Sequence, residues 1–205
     1  MKIILGKVRP FLRHLTEAHP QVLIIAPFAR LHDRYMERRL AEARDLLTRL
    51  NSPDQQLAGL LFILMQYQDL DRNATLAFQR EIAMVATLES LDYGRGLRAD
   101  YMSLIHTILE DGVRVGLFRP LDVPVQSLLI FGATQWTWTW FRPGGRLTAL
   151  EAGAQLVHLC LGSLLVDRRR LDRIADPAGK VAQTTVAVLT EHLGSEPGAY
   201  PRESA

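Results

Sequence analysis

The chain has 205 residues, 48% of them hydrophobic and 22% charged, with a formal net charge of +2. That composition suits one sizeable globular domain, and no apolar run approaches the roughly 18–20 residues of a membrane span. Its single cysteine, Cys160, excludes an internal disulfide and points to a reducing, cytoplasmic setting.

Charge is uneven: residues 1–50 hold ten Lys/Arg against five Asp/Glu, which leaves −3 for the remainder. A basic first quarter is compatible with a polyanionic partner, and equally with a solvated helix face. The start has a lysine and a short apolar patch, but no continuous apolar core or small-residue cleavage site of a signal peptide. Pro10, Pro20 and Pro27 interrupt residues 1–29, where "VLIIA" (22–26) reads as a strand or a short buried helix.

From Leu31 the pattern is helical. Leu31, Tyr35, Met36, Leu40, Ala43, Leu47 and Leu50 follow a period near 3.6, and Asn51-Ser52 breaks it. "SPDQ" predicts a new start, with Ser52 as cap, Pro53 in the first position and Gln55 completing a capping box. That helix runs to about Asp69. Asn73 caps another that ends near "DYGRG", and a further one runs from Leu97 to Gly116. Asp122 caps a helix carrying Pro124 in its first turn, unbroken until Arg142-Pro143-Gly144-Gly145. Thr148 and Glu151 form a second capping box, opening an apolar helix through "AGAQLVHLCLGSLLVD". A last helix is expected from Pro177 to Leu193, and residues 194–205 read as a disordered tail.

The fold class is therefore all-α, with seven or eight helices. The alternating triplet Trp136, Trp138 and Trp140 would score as a strand in isolation. Between two capped helices it has no edge to pair with, so a helix end is expected.

Enzyme chemistry is not indicated, and no catalytic residue, metal ligand or cofactor is assigned. "PGGR" (143–146) follows no strand and lacks phosphate-loop spacing. The adjacent Glu110 and Asp111 diverge by about 100° on a helix. His14, His19, His32, His106, His158 and His192 form no zinc-type pair. Cys160 reads as a buried, inert thiol, and "DRRRLDR" (167–173) as a solvated helix terminus.

The order of elements and one motif resemble the C-terminal ligand-binding domain of TetR-family transcriptional regulators, most like the branch that responds to fatty-acyl and steroid-type thioesters. The residues that carry the likeness are Gly112, Gly116, Phe118, Arg119 and Asp122, then Trp140, Phe141, Arg142, Pro143 and Gly145, then Leu147, Thr148, Glu151 and Gly162. "LHDRYMERRLAEARDLL" looks like the long helix that joins the family's two domains, so residues 31–193 are expected to form the ligand-binding and dimerisation domain.

The resemblance implies a homodimer formed by the last two core helices. The candidate interface is Leu128, Gly132, Trp136 and Trp140 with Leu150, Ala154, Val157, Leu161 and Leu164; a central helix in a monomeric bundle is the other reading. It also implies a small, largely apolar effector, held among Phe62, Met65, Gln66, Phe78, Met84, Tyr101, Met102, His106 and Gln135. The family reads DNA through a three-helix head before the joining helix. Residues 1–30 contain no Gly-Val-Ser turn and no Tyr-x-x-Phe. They form an atypical N-terminal segment, either a lost reader head or the product of a wrong start or shifted frame. The chain as written is expected to bind operator DNA poorly or not at all. A stand-alone dimeric binding module without DNA activity is the alternative reading.

Overall fold

A computed structural model describes the backbone of residues 22–85 and 92–194, and the side chains of 30–78 and 92–194. The expectations for residues 1–21 and for the C-terminal tail from 195 lie outside it. Nine α-helices follow one another in the described residues: α1 (Val22–Arg49), α2 (Pro53–Leu70), α3 (Arg72–Val85), α4 (Asp92–Arg114), α5 (Val123–Gln135), α6 (Thr137–Trp140), α7 (Ala149–Leu164), α8 (Leu171–Ala175) and α9 (Lys180–Gly194). A single turn of 3-10 helix, Arg168–Arg170, precedes α8.

The central element is α2, which packs against α7, α9, α4, α1 and α3. Its sequence explains the position, because Leu57, Leu60, Leu61, Phe62, Ile63 and Met65 leave no polar face. A helix that is apolar nearly all round must be covered on all sides. Against it, α7 comes unusually near: a Cβ at Gly153 would stand 2.7 Å from the Phe62 ring. Phe62 is thus a core residue of the α2–α7 contact, as are Val157, Leu161 and Leu164, all with 0% exposure.

Helix ends follow local chemistry, but Asn73 lies inside α3 rather than capping it, and α4 begins at Asp92 rather than near Leu97. Three further departures from the sequence pattern stand out. Thr148 and Glu151 form the expected reciprocal box, and the Asp122 carboxylate accepts from Val125 N. At Ser52 the box does not form: the hydroxyl donates to Asp54 Oδ1, and Gln55 Oε1 accepts from Asn51 N. An acidic side chain two residues on competes for the cap hydroxyl. Secondly, α1 begins at Val22, so "VLIIA" opens the long helix and is neither a strand nor a separate piece.

Thirdly, the helix from Asp122 is broken at Trp136, where ψ is −4°, before α6 resumes for one turn. Around the break, Thr134, Thr137 and Thr139 each turn a hydroxyl back onto the carbonyl three residues earlier, at 2.7 Å. Such bonds compete with the helical ladder and favour a bend. The triplet is no strand, but only Trp138 and Trp140 are helical, in α6, while Trp136 stands at the break between α5 and α6.

Gly116, with φ +72°, ends α4. The following turn is stitched to the end of α7 by Arg119 N donating to Leu164 O and Val166 N donating to Leu117 O. The charged side chains of residues 167–173 are exposed, except that of Arg170, which is half-buried. Arg170 Nη2 lies 3.3 Å from the Asp54 carboxylate, whose side chain is fully buried at the start of α2. That anion also suits the positive end of the α2 dipole.

Candidate functional site

A cavity of about 370 Å³ opens between α1, α2, α3, α4 and α5. Each helix contributes by its phase. Tyr35, Met36 and Arg39 come from consecutive turns of one face of α1, and Leu64, Tyr67 and Gln68 from α2. Thr75 and Phe78 come from α3, Leu128, Phe131, Thr134 and Gln135 from α5. From α4 come Arg95, Arg98, Ala99, Tyr101 and Met102. Such a volume, walled mainly by apolar and aromatic groups with a few polar ones, is of the size and character of small-molecule sites.

The wall between α1, α2 and α3 is a fixed polar network. The Arg39 guanidinium lies over the rings of Tyr67, at 3.7 Å, and Tyr35, at 4.7 Å. Its Nη1 donates to Glu42 Oε2 at 2.9 Å, and its Nη2 to the Asp71 carboxylate at the start of α3. Glu42, with 0% exposure, also accepts from Arg38 Nε at 2.9 Å and from the Tyr67 hydroxyl at 2.7 Å. Thr75 Oγ1 donates to Tyr67 O, and the Tyr35 hydroxyl lies 3.2 Å from the same Oγ1. The long helix α1 is thereby tied to the cavity wall by charge-assisted bonds rather than by apolar contact alone. Burial pushes the Tyr67 hydroxyl well above its ordinary pKa, and Glu42 beside it adds to the effect.

Of the residues assigned to a pocket from sequence, the structure brings Phe78, Tyr101, Met102 and Gln135 to the cavity wall. Phe62 and Met65 are buried in the core, and Gln66 is buried away from the wall. His106, on α4, does not line the cavity either. Met84 has its side chain outside the described residues. Sequence reasoning missed Arg39, Arg95 and Arg98, because an arginine at a helical position reads as solvated unless its partner helix is known.

The interface residues divide in two. Leu128, Trp136 and Trp140 are exposed by 65%, 67% and 54%, and Gly132 has open space before it. With Val125 and Leu129 they form an uncovered apolar stripe along α5 and α6. Leu128 also reaches the cavity wall. On α7 the assigned face turns inward: Ala154, Val157, Leu161 and Leu164 are buried within the protomer and Leu150 packs against the core. The exposed apolar residues at that end are instead Leu159 and Val166. Because α7 is apolar on several faces, its pattern alone could not choose between them. Trp138 is half-buried and meets Trp136 edge-on, with ring centroids 6.1 Å apart.

Among the described residues no group of His, Cys, Asp and Glu could hold a metal ion, and no helix is long and apolar enough to cross a membrane. Cys160 is buried, and burial pushes its thiol up to about 11.

Comparison with known proteins agrees with this geometry. A family model described as the tetracyclin repressor-like C-terminal domain matches residues 50–164. The HTH-type transcriptional repressor KstR2 of Mycobacterium tuberculosis is 27% identical over 125 residues, which are 60% of this chain and 62% of that protein. KstR2 of Mycolicibacterium smegmatis is 27% identical over 122 residues, 59% of this chain and 60% of that protein. The chain therefore spans less than two thirds of the length of these curated relatives. Among solved structures, the ketosteroid transcriptional regulator KstR2 of Mycobacterium tuberculosis superposes with a TM-score of 0.61 at 25% identity, covering 65% of this chain and 68% of that one. A TetR/AcrR-family regulator from Thermobifida fusca shares the fold, with a TM-score of 0.52 at 20% identity over 72% of this chain and 84% of that one.

Proposed function

The chain belongs to the TetR family through its C-terminal domain, and from that premise we propose that it is the body of a dimeric transcriptional regulator, controlled by a small apolar effector. The observation that carries the reading is the cavity of about 370 Å³ with Tyr35, Met36 and Arg39 of α1 in its wall. In this family α1 corresponds to the helix that joins effector domain and DNA-binding head. An occupant that moves this wall moves the base of that head. The solved relative KstR2 is a ketosteroid transcriptional regulator, which supports the choice of an apolar effector here.

Dimerisation is proposed through the apolar stripe of α5 and α6, with Leu159 of α7 and Val166 just beyond its end. An uncovered stripe of this kind marks an interaction surface, and a two-fold homodimer is the commonest use of one. Operator binding belongs to a head before α1, and the regulator acts in the cytoplasm, where the DNA is. The test of the cavity is fluorescence titration with N-phenyl-naphthylamine, an uncharged aromatic probe that brightens in apolar sites. One saturable site per protomer is expected, and Met102→Trp, which fills the cavity from α4, should weaken it at least tenfold. Binding unaffected by that variant would refute the cavity as the effector site.

A further inference from the structure

The cavity wall carries a charge that no described residue answers. From it we infer that the natural occupant bears an anionic group, a carboxylate or a phosphate, seated on Arg98 with the Tyr101 hydroxyl as second donor. This rests on the reading of the cavity as an effector site and narrows the effector's chemistry.

Three arginines line the wall, Arg39, Arg95 and Arg98, and among the described residues no Asp or Glu does. Arg39 is neutralised by Glu42 and Asp71, and Arg95 is paired with Asp92. Arg98 differs. Its Nη1 is shielded from solvent and has no hydrogen-bond partner among the described residues. Burial lowers its pKa, and the neighbouring charge of Arg95 lowers it further. Arg98 as a whole is half-buried, and a cation whose Nη1 is shielded and unpaired carries a desolvation cost in the empty protein. The cost disappears when a ligand brings the anion.

The placement is right for that role. Arg95, Arg98 and Tyr101 succeed one another at three-residue spacing, so they share a face of α4. The Tyr101 side chain lines the cavity, is only 4% exposed, and its hydroxyl is also shielded and without a partner. A guanidinium fork beside an O–H donor matches the oxygens of a carboxylate or phosphate. The same cavity is lined by Met36, Leu64, Phe78 and Phe131 from other helices, which suit an apolar body and offer no competing charge. The occupant is thus an amphipath with its anionic end toward α4.

The test compares two probes that differ by one anionic group, anilinonaphthalene sulfonate and N-phenyl-naphthylamine, titrated into the intact protein. Arg98→Met should lower the preference for the sulfonate, as a ratio of dissociation constants, by about 10- to 100-fold, the range of a charge-assisted hydrogen bond. Arg98→Lys should restore part of it. Displacement by dodecanoate and by dodecyl phosphate, with dodecanol as the uncharged control, separates the two anions. The unliganded Arg98→Met protein should melt no lower than the parent, since it has lost an unanswered charge. A ratio unchanged within about threefold on Arg98→Met, both anions displacing no better than dodecanol, or a clear fall in the melting temperature would each overturn the inference and leave the effector reading intact. Failure of the uncharged probe to bind at all would sink both.

Discussion

Arg39→Met tests whether the network behind the cavity wall holds α1 in place. In the parent, Arg39 is 3% exposed and bridges Glu42 on its own helix to Asp71 at the start of α3. Methionine keeps much of the stem's volume and its contact with Tyr67, so the substitution removes mainly the charge. Breaking a buried ion pair from one side costs about 3–5 kcal/mol, because the partner is left charged and shielded. Here the lower end applies. Glu42 keeps Arg38 Nε at 2.9 Å and the Tyr67 hydroxyl at 2.7 Å, and the Asp71 side chain, 10% exposed, can recruit water. A loss of about 3 kcal/mol lowers the melting temperature of a chain this size by about 6–12 °C. Thermal melts followed by circular dichroism, at one protein concentration so that dimerisation does not shift the midpoint, read this directly. Adding Glu42→Leu to Arg39→Met should recover part of the loss, since no buried anion then remains unpaired. A single-variant drop below about 2 °C would show that the bridge behaves like a surface pair and that α1 is not anchored through it.

Two further outcomes follow from the surface and from one buried histidine. Leu129→Glu and Trp136→Glu, on residues exposed by 63% and 67% in the protomer, should leave the fold intact and shift the molecular mass in light scattering from dimer to monomer. A dimer persisting in both would place the interface elsewhere. Burial lowers the pKa of His32 below its ordinary 6.5, with Asp33 opposing the shift only in part. Above 6.5 the ring is neutral folded and unfolded, and contributes no pH dependence. Below that value the unfolded chain takes up the proton first, so stability falls until the folded ring protonates too. Urea melts between pH 7 and 5 should therefore lose stability more steeply in the parent than in His32→Gln; parallel slopes would contradict this.

The parts of the fold that sequence made legible are those decided within a few residues. The Thr148–Glu151 box, the Asp122 cap and the stop at Gly116 all depend on near neighbours, and all form as read. Ser52 failed on the same scale, because Asp54 took the hydroxyl that its cap required. The break at Trp136 needs three threonine hydroxyls to turn inward together, and no apolar periodicity records that. The cavity was half legible. Phe78, Tyr101, Met102 and Gln135 announce themselves as aromatic, methionine or glutamine side chains at helical positions, whereas Phe62 and Met65 look the same and fill the core. What separates them is the phase of each helix against its neighbours, a tertiary fact. The arginines are the sharper case: Arg39 reads as one more charge in "ERRLAEARD", and only the approach of Tyr67 and Asp71 makes it part of a wall.

The space between α1, α2, α3, α4 and α5 should receive an apolar effector. A crystal structure of the protein with N-phenyl-naphthylamine tests it most directly. The probe's rings should lie inside the cavity, against Met102 and Phe131 and within reach of the α1 wall at Tyr35 and Met36. An empty cavity with the probe seated instead on the exposed stripe of Leu129 and Trp136 would contradict it.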